Sequence, residues 1–191
     1  MASTLSWKDR VWTLWFASHL AVILLVDAVP LYPANLWQPP TGPLHFLHRL
    51  RSWYVSTYND PIMQWTPDLG RDNWISLFFH LEILFLLPTC MYAVYQHGVR
   101  ADRKDGGRFT GPEELLYLVY AFQTAFTTLV CIHDVAYWDP GVYSASAKRM
   151  FVFGLYGPYF AIPAIMFADM YTRVLRRLRV SEAVEVTKKE Q

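Results

Sequence analysis

Apolar residues dominate four stretches of the chain, 11–31, 74–95, 115–132 and 150–168, without the polar position every three or four residues that a solvated helix requires. Each is close to the ~20 residues that carry an α-helix across a bilayer. Titratable groups are few in these stretches. The first contains His19 and Asp27, the second His80 and Glu82, and the third and fourth no charged residue. The pattern predicts an all-α membrane protein built as a four-transmembrane-helix bundle. The first stretch is too long for a signal peptide, lacks a small-x-small cleavage site and is ended by Pro30, Tyr32 and Pro33, so it is expected to remain as a membrane anchor.

The segment from about 32 to 73 carries six prolines between the first two spans, yet Phe46, Leu50, Trp53 and Tyr54 fall at i, i+4, i+7 and i+8. This spacing predicts a short amphipathic helix lying over the ends of the bundle. Composition agrees with the pattern. Hydrophobic residues make up 53% and charged residues 17%, short of the roughly 25% charge of a soluble domain. A net charge of +1 argues against nucleic acid as a partner, and two cysteines exclude a disulfide-stapled scaffold.

Charge also orients the spans. Of the 17 Lys and Arg residues, only Arg49, Arg51, Arg71, Lys148 and Arg149 fall on the side away from the termini. The positive-inside rule therefore predicts cytosolic termini and a lumenal helix between spans one and two. The expected organisation is a cytosolic N-terminus over 1–10, a transmembrane domain over 11–173 and a cytosolic tail over 174–191. The tail ends Lys188-Lys189-Glu190-Gln191, resembling the di-lysine retrieval signal of endoplasmic-reticulum membrane proteins.

A carboxylate at bilayer depth costs roughly 2.5–3.5 kcal/mol on insertion scales, which makes Asp27 and Glu82 the candidate functional groups. Asp27 is expected some four residues before the lumenal end of span one, and Glu82 lies eight residues into span two. The two depths differ by about one helical turn, so the side chains can face each other. Two close carboxylates in an apolar site share a proton, giving one ionised and one protonated group. Such a pair can accept a cationic amine, or act as an acid toward an alkene.

The remaining polar groups read as packing. His19 and His80 lack metal-binding spacing, and Cys90 and Cys131 are expected at opposite ends of their spans. Asp169 and Arg173, at i and i+4, suit an interfacial ion pair. Pro88, Pro158 and Pro163 should bend their helices and open space between them. Tyr117, Tyr120, Gln123, Thr124, Tyr156 and Tyr159 would line an aromatic cavity suited to a flat apolar ligand such as a sterol.

The order SHL…Asp27, Trp53-Tyr54…Asp60-Pro61, Glu82-ILFLL-Pro88 and Tyr156-Gly-Pro-Tyr159-FAIP resembles the sigma-2 receptor (transmembrane protein 97) family. That family belongs to the EXPERA group, together with the emopamil-binding protein, a sterol Δ8–Δ7 isomerase. The resemblance runs from about residue 11 to 173. It implies an endoplasmic-reticulum protein, often a homodimer, that binds sterols and cationic amphiphiles and influences cholesterol handling with a partner among sterol-transport proteins. On that resemblance Asp27 pairs with a ligand amine, and Glu82 is its protonated partner. Tyr54, Thr124, Leu155, Tyr156 and Tyr159 line the cavity, Asp60 and Trp53 hold its lid, and neither metal nor cofactor takes part.

The chain departs from the family pattern at several positions. Leu86 stands where a glutamine is expected, Tyr120 replaces a histidine, and the threonines near Thr127 and Thr128 are shifted by about one turn. The isomerase relative needs a His-x-x-x-Glu pair in span one. Here His19 is followed by Ile23, with the first acid only at Asp27. The resemblance thus favours a binding protein, with an isomerase-type enzyme as the alternative.

Overall fold

The computed structural model describes residues 6–67, 73–100 and 108–189. No strand occurs among them, and four helices are long and apolar enough to cross a membrane. These are α1 (Trp7–Asp27), α4 (Trp74–Val99), α5 (Gly111–Val135) and α6 (Ala145–Ala183), whose helical backbone runs on to Lys189. Between α1 and α4 lie the short helix α2 (Ala34–Trp37) and the helix α3 (His45–Tyr58). Arg71, Arg103, Lys104 and the side chains of Lys188 and Lys189 lie outside the described residues. The chain divides into two compact units, one of residues 10–102 and one of residues 1–9 and 103–191.

Besides the turn over Tyr95–Val99, which ends α4 with no proline following it, three of the long helices contain widened π-helical turns, over Ile23–Asp27, Glu82–Leu86 and Met150–Leu155. Each precedes a proline that has no N–H to give to the carbonyl four residues back: Pro30 to Val26, Pro88 to Leu84 and Pro158 to Gly154. A π turn carries one extra residue and passes hydrogen bonding to i+5, as Ala28 N does on Ile23 O at 2.8 Å. The chain thereby takes up the lost bond by widening the turn. At the third turn glycine is required, because a Cβ at Gly157 would come within 2.8 Å of Val152 O. Pro163 has no such turn before it and sits within regular helix.

The first span ends earlier than expected. Asp27 is its last residue, because the widened turn runs into a 3-10 turn over Val29–Leu31 with Pro30 inside it. The hydroxyl of Tyr32 folds back to donate to Leu24 O at 2.8 Å. In the same unit Val29, Trp37 and Leu47 form a small core with Tyr32 and Leu44 packed against it. The loop after α2 can return to it only because residue 42 is glycine: a Cβ there would lie 2.6 Å from Leu36 O.

Helix α3 forms as its spacing predicts, but its apolar stripe faces outward. Phe46, Leu50 and Trp53 are 54%, 39% and 57% exposed, whereas Leu47 is buried. The inward stripe runs Leu47–Arg51–Tyr54–Tyr58. It wins because Leu47 joins the Val29–Trp37 core while Tyr54 and Arg51 find polar partners inside. The outward stripe then suits a membrane interface, where aromatic residues sit well.

In the other unit, α5 and α6 pack along their length. The buried stripe of α5 contains Glu113, Tyr117, Tyr120, Ala121 and Thr124, and Phe151, Met166 and Met170 are buried on α6. A capping box of Thr110 with Glu113 opens α5, with Thr110 N donating to Glu113 Oε2 at 2.7 Å. Lys148 closes its far end by donating to the carbonyls of Ala136 and Trp138 at 3.0 and 2.6 Å. Toward the N-terminal end of the chain, Asp9 and Asp169 both accept from Arg173, at 2.5 and 2.7 Å, and Lys8 reaches Asp169 at 3.1 Å. The i, i+4 pair expected from sequence is thus one edge of a network that fastens the first turn of α1 to α6. Arg177 adds a bridge to Glu114, and its Nη2 donates to Phe109 O at 3.0 Å.

Candidate functional site

Both membrane carboxylates stand on widened turns: Asp27 closes the one in α1, and Glu82 opens the one in α4. A π turn shifts the side chains on either side of it out of register, and such turns are frequent at functional sites. Asp27 and Glu82 lie within electrostatic reach of each other although 55 positions apart in sequence. Both side chains are half-buried.

The helix α3 brings a cation to Asp27. Arg51 is within electrostatic reach of both Asp27 and Asp60. Burial lowers its proton affinity, and those two carboxylates oppose that change. Its Nη2 donates to Trp65 O at 2.8 Å. Trp65 in turn stacks on Phe79 of α4 at 4.9 Å, one turn before Glu82. Sequence reading counted Arg51 only among the lumenal-side charges and missed its place beside Asp27. The available signal was its place on the Leu47–Tyr54 stripe, together with the absence of any basic residue inside the spans beside two acids.

Asp60 is completely buried and organises the turn after α3. Its Oδ1 accepts from Ile62 N at 2.9 Å and Met63 N at 3.3 Å, and its Oδ2 accepts from Tyr54 Oη at 2.9 Å. Asn59, the only non-glycine residue with positive φ (53°) among the described residues, turns the chain out of α3 to reach this geometry. Burial, then the charge of Asp60 and the hydrogen bond to it, push the Tyr54 phenol far above its ordinary range. Tyr54 is therefore held by Asp60. Trp53 is on the outward face, edge-on to Tyr58 at 6.3 Å.

The other expected wall residues belong to the second unit. Thr124 is buried, and its hydroxyl donates to Tyr120 O at 3.0 Å. Leu155 ends the widened turn of α6, with Tyr156 directly after it and 6.1 Å from the Phe151 ring, and Tyr159 is half-buried one turn on. His19 is buried beside the Trp15 ring, and His80 is exposed with Nδ1 at 2.7 Å from Ser76 O. Cys90 is buried and Cys131 is half-buried. No group of three or more metal-ligating side chains occurs among the described residues.

Fold and site together define a multi-pass helical membrane protein with a carboxylate pair set into widened turns, one member of which lies beside an arginine. Residues 46–170 match the model of EXPERA, the EXPanded EBP superfamily, and the chain belongs to that family. The match takes in Tyr54, Asp60, Glu82 and the α5–α6 residues, but not Asp27. Among curated proteins, the chain is 29% identical over 175 residues to efficient mitochondria targeting-associated protein 19 of Schizosaccharomyces pombe, covering 92% of this chain and 81% of that protein. It is 25% identical over 166 residues to sigma intracellular receptor 2 of Homo sapiens, covering 82% and 83%. The corresponding receptor of Xenopus tropicalis is 23% identical over 177 residues, covering 88% and 89%.

Proposed function

We propose that the protein is a receptor-like membrane protein that binds sterols and cationic amphiphiles in an intramembrane cavity, with a role in sterol homeostasis or trafficking. One observation carries this reading: Asp27 and Glu82, far apart in sequence, lie within electrostatic reach of each other. An ionised Asp27 offers a counter-ion to an amine, and a protonated Glu82 beside it offers a hydrogen-bond donor. The rings of Tyr156 and Tyr159, with Leu155 and Thr124, would supply the apolar wall. Asp60 would hold the lid through Tyr54. Likeness to sigma intracellular receptor 2 supports a small-molecule ligand. The positive-inside bias supports cytosolic 1–10 and 174–191, and the resemblance to the sigma-2 receptor family supports an endoplasmic-reticulum membrane. Partners there would be a second copy or another membrane protein of sterol transport.

Asp27→Asn should weaken binding of a tertiary-amine amphiphile by about thirtyfold, since a charge-assisted hydrogen bond is worth about 2 kcal/mol. A radioligand competition assay on purified protein checks this, and unchanged affinity would reject Asp27 as the anchor. Incubation with a Δ8-sterol, followed by mass spectrometry of the extracted lipid, separates receptor from enzyme. Sterol retained unchanged supports the receptor. Conversion that is lost in Glu82→Gln would instead assign an isomerase of the emopamil-binding type and overturn the reading.

A further inference from the structure

Arg51 is fixed on the inward stripe of α3 by contacts on both sides of it. One turn before it, Leu47 packs in the core with Val29, which follows Asp27 by two residues. One turn after it, Tyr54 Oη donates to Asp60 Oδ2 at 2.9 Å. Helix α3 itself packs against the widened turn Ile23–Asp27 of α1. The guanidinium donates through Nη2 to Trp65 O at 2.8 Å, and the Trp65 ring stacks on Phe79 of α4, 4.9 Å away and 17° from parallel. Phe79 precedes Glu82 by three residues on the same helix. Arg51 therefore stands on a helix packed against the turn of one membrane carboxylate, and is bonded to a residue that stacks just before the other.

The charge of Arg51 acts chiefly on Asp27. Of its two carboxylate neighbours Asp27 is the stronger, and at Asp27 the attraction of Arg51 exceeds the repulsion of Asp60. The oxygens of Asp60 are in addition occupied by the Tyr54 hydroxyl and the amides of Ile62 and Met63. The Asp27 side chain makes no hydrogen bond or ion pair among the described residues. Arg51 thus offsets its charge through space and leaves its oxygens to accept from a ligand. Guanidinium stays charged at any physiological pH, so this offset is permanent. A ligand hydroxyl can donate to Asp27 without adding charge, whereas an ammonium there sets a second cation near the first, in surroundings where like charges repel more than in water. We propose that Arg51 is a resident counter-ion of Asp27 that sets the charge preference of the site, favouring an uncharged hydroxyl-bearing lipid such as a sterol over a cationic amine. This preference rests on the ligand site at Asp27 and Glu82 proposed above, and it ranks the two ligand classes of that site.

The test uses the full-length protein in detergent micelles and two probes that differ at a single group, cholesterol and its 3β-dimethylamino analogue, each competed against radiolabelled cholesterol. Arg51→Gln should tighten the aminosterol by roughly tenfold, the scale of one partly screened charge, and move cholesterol by less than about twofold. Arg51→Lys keeps the charge and should leave the ratio of the two affinities near that of the parent. Arg51→Met takes the place of the glutamine variant if that protein does not fold. An unchanged or reduced preference for the aminosterol in a normally melting Arg51→Gln protein would overturn the proposal, and so would Arg51→Lys behaving like Arg51→Gln. Melting of the parent, Asp27→Asn, Arg51→Gln and the double variant reads the counter-ion without any ligand. Arg51→Gln should lower the melting temperature less once Asp27 is neutral, and an equal loss in both backgrounds would overturn the assignment. If neither sterol binds any of these proteins, the ligand site itself is rejected and the charge preference with it, while the melting cycle still decides whether Arg51 neutralises Asp27.

Discussion

Asp60 shows how one side chain sets local structure around the site. Its two oxygens satisfy two backbone amides and the Tyr54 hydroxyl in a place without water access. Asp60→Ala should therefore cost about 3 kcal/mol, as buried donors left unpaired cost roughly 1–3 kcal/mol each. Chemical denaturation in detergent checks this, with Asp60→Asn expected to retain part of the loss. Tyr54 carries the pH dependence. Its phenol is held protonated in the fold, so its contribution is complete below the ordinary value near 10 and is lost as pH rises beyond it. The melting temperature should fall above about pH 10, and less steeply in Tyr54→Phe than in the parent.

The distinctive elements are the three widened turns that precede prolines, and their cause is local. Proline withholds a hydrogen bond from the carbonyl four residues back, and in three spans the helix answers with a π turn at that position. Two of those turns carry the membrane carboxylates. Pro88→Ala would allow α4 to close into regular helix, turning Glu82 relative to Asp27. Stability should rise, by up to ~3 kcal/mol if the helix becomes fully regular, while affinity for a cationic amphiphile should fall about tenfold. Thermal melting and ligand competition on one preparation read both effects. An affinity that is unchanged while stability rises would show that the turn does not position Glu82.

At the scale of the whole chain, the network of Lys8, Asp9, Asp169 and Arg173 fastens the N-terminal turn of α1 to α6. Asp9 is nearly sealed from solvent, with 2% of its side chain exposed, so removing its partner leaves a buried charge. Arg173→Ala should cost about 3 kcal/mol. The double variant Asp9→Asn/Arg173→Ala should cost less than the sum of the two single changes, a coupling that denaturation of the four proteins measures.

Sequence by itself determined the four spans, a short helix between the first two, the two intramembrane acids and the family. Each of these rests on composition and short-range periodicity, which bilayer thickness and helix geometry translate directly into structure. Tertiary structure decided the rest. Periodicity located an apolar stripe on α3 but could not show which stripe turns inward, because Leu47, Arg51 and Tyr54 are drawn in by partners that lie elsewhere in the chain. It placed Asp27 within span one, whereas the turn ahead of Pro30 makes it the last residue. It counted Arg51 only among the lumenal charges, because its proximity to Asp27 and Asp60 exists only once α3 and the Asp60 turn have folded against the end of α1. Long-range partners decide which polar residues are inside, and a one-dimensional pattern does not contain them.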